Sequence, residues 1–239
     1  MGMMWWHSKH HSRAMKLERR QFMSFELTAS MMHADLGHLA KEVSDLEEGK
    51  IDSFHIDIMD GGYVANYALS INDLKCVRSL TDKPMDVHLM IKQPKNRIQL
   101  FLENLHKGDT VYIHSDSEYF PEDTLQDIID AGMFPGLAVS SDMDLANVGE
   151  ILRVVDKVLV MFENPGNPQS YISQVEEKCD KLLRMKDKLG YSLFVEGVPD
   201  AKVKELGSKG VDGFVLGSSL FGVGASYGET IRSIKGLAA

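Results

Sequence analysis

The chain has 239 residues, of which 44% are hydrophobic, and carries a formal net charge of -9 at pH 7. This length and apolar content suit one large domain, whereas the acidic balance disfavours binding to nucleic acid or to an anionic membrane surface. No apolar run reaches the length of a membrane span and the first residues lack the order of a secretory signal, so we expect a cytoplasmic protein.

The first 22 residues differ in character from the rest of the chain. They contain two tryptophans, three histidines and five Lys or Arg against one acid, without a strand or helix pattern. We therefore expect an N-terminal extension over residues 1–22, either disordered or a cloning remnant. The two cysteines, Cys76 and Cys179, are too few for a disulfide framework or a cysteine metal site, so both are expected to be plain thiols.

From Met23 onward, short β-rich runs alternate with helical patterns in eight units. The predicted strands are Phe25–Ser30, Asp52–Met59, Met85–Met90, Thr110–His114, Pro135–Val139, Lys157–Met161, Ser192–Glu196 and Gly213–Leu216. The helical patterns include His38–Glu48, Asn96–His106, Thr124–Gly132, Leu145–Val154, Ser173–Leu189 and Ala201–Lys209. This alternation predicts a single (β/α)8 TIM-barrel domain over residues 23–239. The alternative, a doubly wound sheet, would have a glycine-rich turn after the first strand, and Leu27–Met31 has none.

Two strand segments carry the most chemical information: His55-Ile56-Asp57-Ile58-Met59-Asp60-Gly61 and Asp86-Val87-His88-Leu89-Met90. Alternate residues of a strand share a face, so His55, Asp57 and Met59 point one way and His88 and Met90 point one way from the next strand. Two imidazoles and a carboxylate on neighbouring strands suit a divalent metal ion. A single histidine here would indicate a core residue, but the repetition favours a site.

A barrel carries its functional residues at the C-terminal ends of its strands. Residues with suitable chemistry recur at those ends, namely Ser30, His114, Met161, Glu196 and Gly217. Loops after the last two strands commonly bind phosphate through backbone amides, which predicts a phosphate site at Gly197, Gly217 and Ser218. His114 is interpreted either as a hydrogen-bond partner of the site or as a structural histidine.

The two strand segments, with Gly217-Ser218-Ser219-Leu220-Phe221, resemble the ribulose-phosphate 3-epimerase family, including its allulose-6-phosphate subgroup, from about Phe25 to Leu237. The resemblance implies a barrel of the ribulose-phosphate-binding type and an isomerase that epimerises a phosphorylated ketose at C3. It implies that Asp57 and Glu196 transfer the protons. One divalent ion, either zinc, iron, cobalt or manganese, would be held by His55, Asp57, His88 and Glu196. Substrate would be contacted by Ser30, Met59, Met90, Met161, Gly197, Gly217 and Ser218. We also expect a homo-oligomer.

The sequence departs from the family pattern around the predicted mouth of the barrel. Glu196 stands where the family has aspartate, and Val198 replaces the second of two glycines. The added methylene preserves the charge but can move the carboxylate by about 1 Å. Other departures are Gly62, Ala65, Ser140-Ser141 and Pro165-Gly166-Asn167-Pro168-Gln169. They leave open a second interpretation, a barrel that binds a sugar phosphate without turning it over.

The resemblance leaves two substrates open. Ribulose 5-phosphate is the commonest in the family, whereas Asn66-Tyr67-Ala68-Leu69-Ser70 is similar to the N-x-x-L-S segment of the allulose 6-phosphate subgroup. A decarboxylase of the sister barrel group is disfavoured, because that group needs a lysine where this chain has His88.

Overall fold

Eight parallel strands form a closed barrel in sequence order, with β8 hydrogen-bonded back to β1. The computed structural model describes residues 25–164, 175–222 and 224–236. The predicted (β/α)8 TIM barrel is therefore confirmed. The predicted extension at residues 1–22 and the turn at residues 165–169 lie outside the described residues.

The strands match the predicted ranges to within one residue at each end. They are β1 (Glu26–Ser30), β2 (Ser53–Met59), β3 (Met85–Met90), β4 (Thr110–His114), β5 (Phe134–Val139), β6 (Lys157–Met161), β7 (Ser192–Glu196) and β8 (Gly213–Leu216). Every residue of β2, β3 and β4 is buried, because helices cover one face of the sheet and side chains fill the other.

The helices surround the barrel and bury an apolar stripe against it. They are α1 (Leu39–Glu48), α2 (Ile71–Leu80), α3 (Ile98–Leu102), α4 (Pro121–Asp130), α5 (Val175–Leu189), α6 (Asp200–Lys209) and α7 (Tyr227–Lys235). In α1, for example, Leu39, Val43 and Leu46 are buried at the spacing of one helix face. Within the described part of the chain, no helix combines the length and apolar character needed to cross a membrane.

The predicted helix over Asn96–His106 is wrong in its extent. The chain forms a 3-10 turn over Pro94–Asn96 and then only the short α3. Beyond α3, the Asn104 side-chain amide donates to the Leu100 carbonyl at 2.8 Å. Asparagine competes in this way with the helical hydrogen bonds of the backbone, which explains why the apolar pattern does not continue as a helix.

The predicted helix over Leu145–Val154 is also wrong. Two 3-10 turns, Leu145–Val148 and Ile151–Arg153, stand in its place. Asp144 accepts a hydrogen bond from the Ala146 N–H at 3.0 Å and so caps the first turn. Gly149, a poor helix former, lies between the turns, so nothing local favours a continuous helix.

The barrel interior has an apolar layer beneath the candidate site. This layer consists of Tyr112, Ala138, Leu159, Phe194 and Val215. The Tyr112 ring lies 6.2 Å from the His55 ring and 6.3 Å from the His88 ring. The histidines therefore rest on a packed floor.

Candidate metal and catalytic site

Strand register brings the four predicted ligands together. Parallel pairing places Ser30 beside His55 and Asp57 beside His88, while Glu196 pairs with Met161. Residues paired in this way point to the same side of the sheet, here into the barrel. One nitrogen or oxygen atom from each of His55, Asp57, His88 and Glu196 lies within 4.8 Å of the others. His55 is the third residue of β2 and therefore lies deeper than the strand end, where a barrel usually carries its functional residues.

The nitrogen and oxygen atoms of these four residues lie close together without forming hydrogen bonds to one another. His55 Nε2 and His88 Nδ1 lie 3.2 and 3.3 Å from Asp57 Oδ1, and His88 Nδ1 lies 3.6 Å from Glu196 Oε2. All four atoms are buried, and none has a hydrogen-bond partner in adequate geometry. Buried polar atoms without partners are costly, so four that converge are suited to surround a bound cation. Imidazole and carboxylate donors suit a divalent ion, and the cluster therefore fits a metal.

The surroundings shift the pKa values of the carboxyl and imidazole groups of the cluster in different directions. Burial disfavours a cationic His55, but the Asp57 carboxylate outweighs burial and raises the pKa of His55 to about 9. Burial would raise the pKa of Asp57, yet His55 and then His88 hold that pKa well below its ordinary value. Burial, reinforced by the Asp57 charge, raises the pKa of Glu196 to about 8. The surroundings of the metal-free cluster thus favour the ionised form of Asp57 and the protonated form of Glu196, a separation of pKa values typical of acid–base pairs.

Asp57 and Glu196 also differ in support and in access. Ser30 Oγ donates a hydrogen bond of 2.7 Å to Asp57 Oδ2, which leaves Oδ1 directed at the cluster. The Asp57 side chain is 1% exposed, whereas Glu196 retains 16% exposure. Asp57 is therefore fixed and deep, and Glu196 lies nearer the opening.

His114 contacts the cluster through His88. The two Nε2 atoms lie 2.9 Å apart, and both rings are fully buried. An imidazole whose Nδ1 lone pair serves a metal carries its proton on Nε2, so His88 would donate this bond and His114 would accept it. Burial, then His88, lowers the pKa of His114 well below its ordinary value, which keeps it the neutral acceptor that the bond requires.

The three predicted methionines converge beside the ligands. Met59, Met90 and Met161 form one buried cluster with Val64, against which Met32 and Tyr63 pack. Tyr63 also lies over His114, with ring centroids 5.0 Å apart, and donates a hydrogen bond of 2.9 Å to Asp116. An apolar, polarisable surface therefore lies beside the four-residue cluster.

The predicted phosphate residues Gly197, Gly217 and Ser218 follow β7 and β8. Gly197 has a φ of 74°, a left-handed conformation that favours glycine. Two side chains that the sequence analysis missed lie against these glycines: Glu163 against Gly197 and His33 against Gly217. The sequence offered one signal for them, their position along the chain: Glu163 is two residues after Met161, and His33 is three residues after Ser30.

Comparisons with known proteins agree with this geometry. The model of the ribulose-phosphate 3 epimerase family matches residues 26–221. A ribulose-phosphate 3-epimerase of Methanocaldococcus jannaschii is 34% identical over 201 residues, which cover 82% of this chain and 84% of the relative. One of Bacillus subtilis is 31% identical and covers 88% of this chain and 98% of the relative. KGPDC from Streptococcus mutans shares the fold, with a TM-score of 0.64 at 14% identity over 89% of this chain and 96% of that structure. The chain belongs to the ribulose-phosphate 3-epimerase family and is an isomerase of the epimerase class.

Proposed function

We propose that this protein interconverts ribulose 5-phosphate and xylulose 5-phosphate by metal-dependent epimerisation at C3. The observation that carries the proposal is the convergence of four buried, unpaired ligand atoms within 4.8 Å. The names of the relatives support the pentose phosphate. Allulose 6-phosphate is the second candidate substrate, supported by the segment Asn66–Ser70.

Inversion at a carbon beside a ketone requires a proton to leave one face and a proton to arrive on the other. Asp57, ionised and fixed by Ser30, takes the proton from C3 on its face. Glu196, the second carboxyl group of the cluster, supplies a proton to the opposite face. The reverse reaction exchanges these roles.

A divalent ion held by His55, Asp57, His88 and Glu196 would stabilise the negative charge that develops on the substrate oxygens. The neighbouring methionines Met59, Met90 and Met161 exclude water from the reacting carbon. Ser30 fixes the orientation of the Asp57 carboxylate. We include Gly217 and Ser218 as phosphate contacts, in keeping with the position of phosphate sites in barrels.

The retained cluster supports an enzyme over a barrel that only binds sugar phosphates. The longer Glu196 side chain still places Oε2 3.6 Å from His88 Nδ1, so the departure from aspartate keeps a ligand in position. We also propose that the protein acts in the cytoplasm as a homo-oligomer. Its two cysteines are unpaired, which supports a reducing compartment.

Two measurements on one sample test the proposal. The purified protein should contain about one divalent ion per chain and should incorporate solvent deuterium at C3 of ribulose 5-phosphate while forming xylulose 5-phosphate. Allulose 6-phosphate, assayed in parallel, decides between the substrates. The N-terminal histidines are removed first, so that any metal they hold does not enter the count.

Matched variants separate the two roles. His88→Ala should lose the ion, and Asp57→Asn should lose exchange while remaining folded, since an amide neither accepts nor releases a proton at neutral pH. Stoichiometric metal without exchange in the wild-type protein would instead establish the binding barrel.

A further inference from the structure

An imidazole that the proposed chemistry does not use lies where β1 and β8 meet. These strands pair through Ala29 and Leu216, so the residues that follow them are neighbours. His33 ends the short turn after β1, and a Cβ atom placed on Gly217 would lie 2.5 Å from its Nε2. We call this position, His33 with Gly217 and Ser218, the β1–β8 corner.

The His33 ring is held in place while its nitrogens remain available. It lies nearly parallel to the ring of Phe221, with centroids 6.5 Å apart and an interplanar angle of 21°. The side chain is only partly buried, and it forms no hydrogen bond within residues 25–164, 175–222 and 224–236. Burial lowers the pKa of His33, against the opposing charge of Asp57, so the free protein has a neutral imidazole with one N–H to donate.

The charged side chains near the end of β7 differ from those near the β1–β8 corner. His33 is the only basic residue among those that directly follow β1, β7 and β8, at positions 31–34, 197–199 and 217–222. By contrast, a Cβ atom placed on Gly197 would lie 2.5 Å from the Glu163 side chain. The Glu163 side chain therefore disfavours a dianion at the end of β7, whereas positions 31–34 and 217–222 around the β1–β8 corner carry no acidic side chain.

We propose that His33 is a substrate-binding residue whose imidazole donates a hydrogen bond to the phosphate of the ketose phosphate at Gly217 and Ser218. The proposal rests on the proposed function for the class of ligand. It adds one side-chain donor to the backbone contacts expected at Gly217 and Ser218. A hydrogen bond to a phosphate dianion is charge-assisted, so its loss weakens binding about tenfold or more.

Binding of inorganic phosphate to the full-length protein tests the proposal without turnover. In His33→Leu the dissociation constant, measured by calorimetry, should rise at least about tenfold, whereas His33→Gln, which retains a donor, should stay within about threefold of wild type. His38→Gln is the matched control, because His38 is an exposed histidine of the same loop that pairs with Asp35. The ratio of kcat/KM for ribulose 5-phosphate to that for unphosphorylated ribulose should fall about tenfold in His33→Leu. Unchanged phosphate affinity in a folded His33→Leu overturns the proposal.

A measurement on the wild-type protein covers the case in which His33→Leu does not fold. The His33 imidazole nitrogen signals, assigned by comparison with His33→Gln, should shift on saturation with phosphate. Signals that stay in place overturn the proposal. If phosphate shifts them but no ketose phosphate is epimerised, the proposed function fails and the binding role stands.

Discussion

Glu196 differs from the family aspartate by one methylene, and the surrounding backbone positions its carboxylate beside His88. Glu196→Gln should lower the rate of C3 exchange by at least about a hundredfold, because it removes a proton-transfer group. Glu196→Asp should retain metal but also slow exchange by about a hundredfold, since its carboxylate stops about 1 Å short. Exchange rates and metal content of both variants check this. If Glu196→Asp exchanged the C3 proton faster than wild type, the glutamate would be a substitution that impaired an ancestral active site.

His114 is expected to hold the His88 ring in the tautomer that leaves Nδ1 free for the metal. His114→Leu removes the acceptor 2.9 Å from His88 Nε2 and should weaken metal binding about 10- to 100-fold. His114→Gln can place an amide oxygen near the same point and should remain close to wild type. Competition with a chelator measures both affinities. Equal affinity in the leucine variant would assign His114 a packing role alone.

The free energy of unfolding of the metal-free protein should depend on pH through His55 and Glu196. Their pKa values are raised, to about 9 from 6.5 and to about 8 from 4.5 respectively. At a pH between its ordinary pKa and its raised pKa, each group is more fully protonated in the folded protein than in the unfolded chain. The free energy of unfolding therefore falls as pH rises through that window. His88 and His114, with lowered pKa values, oppose this trend only below about pH 6.5.

Urea unfolding of chelator-treated protein should therefore show a midpoint that falls from pH 6.5 to pH 8. Saturating metal should remove much of the dependence, because ligation requires deprotonated side chains. Glu196→Gln, which cannot titrate, should show a shallower slope. A midpoint that rises across this range would contradict the assigned charges.

At the scale of elements, α7 shows how a local signal fixes a boundary. The Glu229 N–H donates to Ser226 Oγ at 3.3 Å, and the Ser226 N–H donates to Glu229 Oε2 at 3.1 Å, a reciprocal capping box. Ser226→Ala should lower the free energy of unfolding by about 1 kcal/mol. Ser208→Ala is the control, because Ser208 lies inside α6 and bonds only the Glu205 carbonyl. Equal effects in urea unfolding would show that the cap is not what stabilises α7.

The elements differ in how far local sequence defines them. Strand ends were predictable because buried parallel strands are apolar runs bounded by polar residues. The segment Leu145–Val154 has enough apolar residues for a helix, but Asp144 and Gly149 favour separate turns. The spacing of apolar residues carries no information about competing hydrogen bonds, such as the one that Asp144 accepts from the Ala146 N–H.

At the scale of the whole molecule, the barrel interior depends on large side chains that face glycines. A Cβ atom on Gly136 would lie 2.4 Å from the Tyr112 ring, and one on Gly213 would lie 2.2 Å from the Phe194 ring. Gly136→Ala should therefore destabilise the fold by about 1–3 kcal/mol through overpacking. Gly149→Ala is the control: it meets no atom within 4 Å and should be neutral or slightly stabilising. Urea unfolding distinguishes the two, and equal stability would show that the interior is loosely packed.

The sequence by itself determined the barrel, because strand alternation is a local property, and the family resemblance singled out the four residues that converge in it. It placed His55 and Asp57 on one strand face and His88 on the next, and the structure brings them together. Only the tertiary structure decided which side chains surround that cluster. The His88–His114 bond joins residues 26 positions apart, and the contact of His33 with Gly217 exists because β8 closes onto β1. Barrel closure sets such distances, and no pattern within a single strand or helix encodes them.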